Sequence, residues 1–191
     1  MTAVVKQSLK ALFLVVTGAL GSLVVGMVMY GSNVFLPSSV GFSFVSFGVS
    51  GALVFALYHI RGLSDALTAA SLVSAVQLIV LTLWFPIVNA VIWSFGVNMP
   101  IVLLAFLFER KLASLRRFRF LAVGLMYGSM FVILTLIVER INGSGLLPAE
   151  VFQRNFLDGV LIGIGLGLGV EAGEVIIDSS RMTGQPVHET A

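Results

Sequence analysis

The sequence contains no cysteine and only two histidines, His59 and His188. Without cysteine there can be no disulfide, no thiolate metal site and no cysteine nucleophile. His188 lies in a polar tail, so His59 alone remains for the apolar part of the chain, which argues against a bis-histidine haem there. Charge is equally scarce. Only 10% of the 191 residues are Asp, Glu, Lys or Arg, against roughly 25% in soluble domains. Walker-type phosphate loops, clusters with metal-ligand spacing and nucleic-acid motifs are also missing from the sequence. No cofactor is expected.

What fills the space is apolar. Hydrophobic residues make up 58% of the chain, and the mean hydropathy is +1.07. A surface this poor in charge would aggregate in water, so lipid is the natural solvent. A bilayer-spanning helix needs about 20 apolar residues, which leaves room for six spans with short connections and none for a separate soluble domain. The reading is an all-α polytopic membrane protein. Spans are predicted near 10–30, 42–60, 65–85, 87–108, 118–138 and 156–177, followed by a polar tail over 179–191. The first run, Ala11 to Tyr30, exceeds a signal-peptide core of roughly 7–15 residues and lacks a small-x-small cleavage site. It reads as a retained helix.

The breaks between spans are chemical. Gly31-Ser32-Asn33 and Leu36-Pro37-Ser38-Ser39 make the first loop. Arg61-Gly62-Leu63-Ser64-Asp65 makes the second, with Ser64 or Asp65 as helix N-cap. Phe85-Pro86 makes a tight third turn, Glu109 to Arg119 a basic fourth loop, and Glu139 to Asn155 a longer fifth. Basic residues fall on alternate connections: Lys6 and Lys10 before the first span, Arg61 in the second loop, and Arg110, Lys111, Arg116, Arg117 and Arg119 against Glu109 alone in the fourth. The first and third loops carry no charge. The positive-inside rule therefore places both termini and the even loops in the cytoplasm. A hairpin over 65–108 that does not fully span is the alternative topology.

Three features carry the search for function. The last span repeats glycine every four residues on two ridges: Gly159, Gly163 and Gly167, and Gly165, Gly169 and Gly173. Such ridges let helix backbones approach closely, either within one bundle or against a partner subunit. Glu171, Glu174 and Asp178 follow on one face and are placed to meet Arg116, Arg117 or Arg119, so this end is the candidate partner-docking surface. The fourth span holds Asn89 and Trp93 one turn apart, then Asn98 beside Gly96 and Pro100. Proline removes a backbone donor and frees a carbonyl one turn earlier. Gln77 and Tyr127 lie at similar depth. Amides, a phenol and an indole suit a neutral or zwitterionic organic ligand, or else bond to one another between helices. In the loops, Asn33, Arg140, Asn142, Gln153, Arg154 and Asn155 are candidates for contacting a polar ligand, and Phe35 to Phe42 for a lid.

Gly48-Val49-Ser50-Gly51 matches the GxSG serine motif of rhomboid proteases. That serine needs a histidine base within hydrogen-bond reach. His59 lies roughly 13 Å further along the same helix axis, on another side, so an intramembrane protease is not expected.

Six short-looped spans in about 190 residues with both termini inside resemble the S components of energy-coupling factor transporters, the substrate-binding subunits of vitamin and micronutrient uptake systems. The resemblance covers the whole chain and rests on size and topology. It implies a ligand in the outer half under the first loop, near Asn33 to Phe42, Asn89, Trp93, Arg140 and Asn155. It also implies docking of a first helix with Ala-x-x-x-Ala spacing on a membrane coupling subunit that works with ATPases. Here Gly18, Gly21 and Gly26 stand at other spacings. A structural subunit of a larger complex and a stand-alone channel or carrier are the competing functions, and an enzyme is not expected.

The lack of native cysteine makes the orientation directly measurable. Ser32→Cys should react with a membrane-impermeant maleimide in intact cells, and Ser114→Cys only after lysis. The reversed pattern would invert the topology.

Overall fold

The computed structural model describes residues 3–36, 39–110, 118–143 and 147–182. Six helices are present: α1 (Ala3–Tyr30), α2 (Phe42–Arg61), α3 (Leu63–Thr82), α4 (Ile87–Arg110), α5 (Arg119–Asn142) and α6 (Ala149–Met182), with a short 3-10 turn at Gly31–Phe35 after α1. All six are long and apolar enough to cross a membrane. The chain is thus an all-α polytopic bundle, in line with the composition. Its outward faces are apolar, as lipid contact requires. Leu72, Val76, Ile79 and Leu83 line the outer side of α3 and the turn after it, all of them exposed.

The helices extend further than hydropathy suggests, most of all at the fifth connection. Glu139 to Asn155 is not one loop: α5 runs to Asn142, Gly143 ends it with φ +66°, and α6 starts at Ala149. Arg140, Asn142, Gln153, Arg154 and Asn155 are therefore helical. Hydropathy stops at polar residues, but helical periodicity does not. Val151, Asn155, Asp158 and Ile162 turn inward while Gln153 and Arg154 face out. The second connection also departs from expectation. Neither Ser64 nor Asp65 caps α3; Gly62, at φ +91°, joins the two helices, and its N–H bonds back to Leu57 and Tyr58. Asp65 instead sits 3.7 Å from Arg61 in an exposed pair, an arrangement that contributes about 0–1 kcal/mol.

The bundle is organised around α6, which packs between α1 and α5 and also touches α2. Both glycine ridges are filled from within the chain. A Cβ on Gly159 would stand 2.8 Å from the Gly128 Cα, and one on Gly163 would stand 2.7 Å from the Gly124 Cα, both on α5. On the other ridge, a Cβ on Gly165 would meet the Ser22 Cα at 2.8 Å, and one on Gly169 the Gly18 Cα at 2.8 Å, both on α1. Gly167 lies over Phe120, and Gly173 beside Thr17 and Leu14. Of the two readings the sequence left open for these six glycines, contact within the bundle is the one seen: they face α1 and α5. The reason is reciprocity, since α1 and α5 supply small residues of their own at the crossing points.

The glycines of α1 face inward. Gly18 meets Ala52, Gly21 meets Gly165, and Gly26 meets Phe44. What α1 turns outward is a bulky stripe of Leu12, Val16, Leu20, Val24 and Val28. This departs from the small-residue docking helix that the resemblance implies. α2 occupies the centre, touching α1, α3, α4 and α6. Its GxSG segment packs within the bundle: Gly48 abuts the Ser22 side chain, Gly51 abuts Leu166 and the Tyr127 hydroxyl, and the Ser50 hydroxyl donates to the Phe47 carbonyl at 3.2 Å.

Overpacking a tight core costs roughly 1–3 kcal/mol. Gly163→Ala and Gly169→Ala should each lower the melting temperature by several degrees in nanodiscs, whereas Leu168→Ala, on the exposed side of α6, should leave it nearly unchanged. Equal effects at all three positions would contradict the close approach.

Candidate ligand site

At the end of the bundle that holds the uncharged loops, α1 passes into the 3-10 turn through Gly31, whose φ is +57°. Val34 is fully buried and anchors that turn. Backbone bonds then lead the chain into α2: Leu36 N–H donates to the Asn33 carbonyl at 3.1 Å, and the Ser39 hydroxyl donates to the same carbonyl. Beside this segment lies a cavity of about 330 Å³, a size within the range of small-molecule sites, about 300–1,000 Å³. Ser39 and Val40 form its rim; Phe42, Ser43, Ser46 and Phe47 of α2 form one wall. Leu81, Phe85, Trp93 and Phe131 close it from α3, the third turn, α4 and α5, and Asn155 and Asp158 reach it from α6.

Three of these rings pack on one another. Phe131 meets Trp93 edge-on at 5.1 Å and Phe47 edge-on at 5.6 Å, while Phe47 and Trp93 are tilted at 6.4 Å. Edge-to-face geometry places the positive rim of one ring on the negative face of the next, worth about 0.5–1.5 kcal/mol per pair beyond burial. The amide and the carboxylate of the lining lie on α6. Tyr30 donates to Asp158 Oδ1 at 2.7 Å across 128 residues of sequence. Asp158 is 2% exposed, and its Oδ2 has no hydrogen-bond partner among the described residues. Asn155 donates to the Thr135 hydroxyl at 2.8 Å, which in turn donates to the Phe131 carbonyl at 2.7 Å. Arg154 is exposed, its guanidinium 5.9 Å from the Tyr30 ring centre.

A second polar assembly lies deeper, between α2, α3 and α4. The Asn98 amide nitrogen lies 2.6 Å from Gln77 Oε1, 2.8 Å from the Ser94 carbonyl and 3.1 Å from the Ser74 hydroxyl, three acceptors that share its two hydrogens. Gln77 donates to the Ser46 carbonyl at 3.0 Å and its hydroxyl at 2.9 Å. α4 runs on through Pro100 as one helix. No protein-family model matches this chain, and no characterised protein or solved structure matches it either.

The predicted ligand residues thus divide. Trp93 and Asn155 line the cavity. Gln77 and Asn98 bond to each other instead and reach the cavity only through Ser46. Tyr127, fully buried, donates to the Phe47 carbonyl at 3.2 Å, so it holds a cavity wall without forming one. Asn89 is buried one turn before Trp93, off the lining, with Oδ1 lacking a partner among the described residues. Asn33 contributes its carbonyl to the loop, and its side chain is exposed. Arg140 is exposed near the end of α5, away from the lining. Gln77 and Asn98 take the alternative the sequence left open, bonding to each other between helices, while Trp93 and Asn155 lie on the cavity lining. Asp158, Tyr30, Phe47 and Phe131 were not among the predicted residues. A carboxylate standing between Leu157 and Gly159 was the available signal for Asp158.

At the opposite end, Arg119 and Glu174 form an ion pair at 2.8 Å, with side-chain exposures of 5% and 25%. Glu171 lies one turn earlier, its Oε1 without a partner among the described residues. Arg116 and Arg117 lie outside the described residues. Glu174 is consequently engaged inside the bundle, tying α5 to α6, rather than presented freely to a partner.

Removing one side of a hydrogen bond to a charged group costs about 1.5–3 kcal/mol. Glu174→Ala should therefore destabilise the folded protein by about that amount in a detergent-titration or thermal assay. The double replacement Arg119→Leu with Glu174→Leu should recover much of the loss. No recovery would contradict the pairing.

Proposed function

We propose that this chain is a substrate-binding membrane subunit for uptake of a small organic molecule such as a vitamin or metabolite. The observation that supports this reading most is the aromatic-walled cavity beneath the first loop, with serines on the loop and α2 and an amide and a carboxylate on α6. By the positive-inside assignment that end faces outward, toward the source of a nutrient. The resemblance to S components places a ligand in the same region. Trp93, Phe47 and Phe131 would hold an apolar or aromatic body; Ser43, Ser46, Asn155 and Asp158 would fix its polar end.

On this reading the membrane is a prokaryotic inner membrane, and a coupling subunit with ATPases supplies the driving force. The competing reading is a structural subunit of a larger membrane complex. Gentle extraction separates the two, since a structural subunit is recovered with its complex and has no ligand.

Selective binding to the folded state raises stability by about 2.7 kcal/mol at a ligand concentration of one hundred times Kd. Purified protein screened by thermal shift against vitamins and metabolites should respond to one chemical class. Trp93→Ala should weaken that response at least tenfold while the protein stays folded. Flat melting curves across the panel would overturn the proposal.

A further inference from the structure

We infer that the ligand of this cavity carries a positively charged nitrogen, received by the free oxygen of Asp158. The inference rests on the reading of the cavity as a ligand site and names its substrate class. A carboxylate offers about four acceptor positions. Here Tyr30 uses one, on Oδ1, and Oδ2 is buried without a partner among the described residues. An ionised group left so in an apolar setting is costly unless a charge or a donor meets it. Among the described residues no basic side chain lines the cavity. Arg154, exposed and placed over the Tyr30 ring, acts on Asp158 through space but leaves Oδ2 without a hydrogen bond among the described residues.

The rest of the cavity suits the same chemistry. Ring faces attract cations, by about 0.5–2 kcal/mol depending on desolvation, and Trp93, Phe47 and Phe131 stand on the cavity walls. A carboxylate with no basic residue on the lining also repels anions, which argues against carboxylic acids and phosphate esters as ligands. The site therefore selects an organic amine or quaternary nitrogen with an aromatic or apolar body.

Tryptamine, thiamine and choline serve as cationic probes, with indole-3-propanol and indole-3-propionate as uncharged and anionic counterparts. Binding is measured on the full chain in nanodiscs, alongside the vitamin and metabolite panel. At least one cation should bind ten times more tightly than the uncharged and anionic probes. Asp158→Asn should weaken it tenfold or more. Tyr30→Phe, which removes the same Tyr30–Asp158 bond but keeps the carboxylate, should leave cation binding intact or tighten it. If Asp158→Asn does not fold, the preference of the wild type for cations and the Tyr30→Phe result decide. Preferred binding of an anionic or uncharged compound, unaffected by Asp158→Asn, would overturn the charge assignment and leave the binding site standing. Absence of binding by every compound would overturn both.

Discussion

The structure depends on backbone-to-backbone contact along α6. In lipid the hydrophobic effect does not drive helices together, because the tails are as apolar as leucine, so association relies on close van der Waals packing. α6 achieves this on two sides at once. Its Gly159, Gly163 and Gly167 lie against α5, and Gly165, Gly169 and Gly173 against α1. Glycine gives up helix propensity of about 1 kcal/mol per residue, and six of them would weaken a helix that had nothing to pack on. The neighbours repay that loss by presenting Gly124, Gly128, Gly18 and Gly21 at the same levels.

A tight frame on one side allows polar groups on the other. α3 and α4 are held by amides rather than glycines: Asn98, Gln77 and the serines around them stitch α2, α3 and α4 together. Between the glycine frame and the amide stitch, beside the uncharged loops, lies the cavity that the aromatic rings wall and Asp158 reaches. At the other end Arg119 and Glu174 close α5 on α6. α6 is thus the common support of the frame, the carboxylate and the ion pair.

Much of this was legible in the sequence. Six spans follow from hydrophobic runs long enough for a bilayer, and the glycine periods mark α6 as a close-packing helix. The pairing of an acidic α6 end with the basic fourth connection was expected and is met by Arg119 with Glu174. The limits have physical causes. A ridge of small residues records that something lies close but not what, so Gly163 could be assigned to a partner until Gly124 was placed opposite it. Gln77 and Asn98 share a depth, but whether amides face each other or a ligand is decided by helix rotation. The Tyr30–Asp158 bond joins the end of the first helix to the start of the last, a distance in sequence that no local pattern encodes. Asp158 lies about two and a half turns into α6, which begins at Ala149 although hydropathy there is low.

The claim that α6 lies at backbone distance from both neighbours is tested most directly by solid-state NMR on the protein in bilayers, with glycine Cα carbons labelled. Glycine Cα signals are resolved from other residues, and through-space transfer reports separations of a few ångströms. Cross-peaks should link Gly163 to Gly124, Gly159 to Gly128, and Gly169 to Gly18. Well-resolved sequential signals without those three inter-helical peaks would contradict the account.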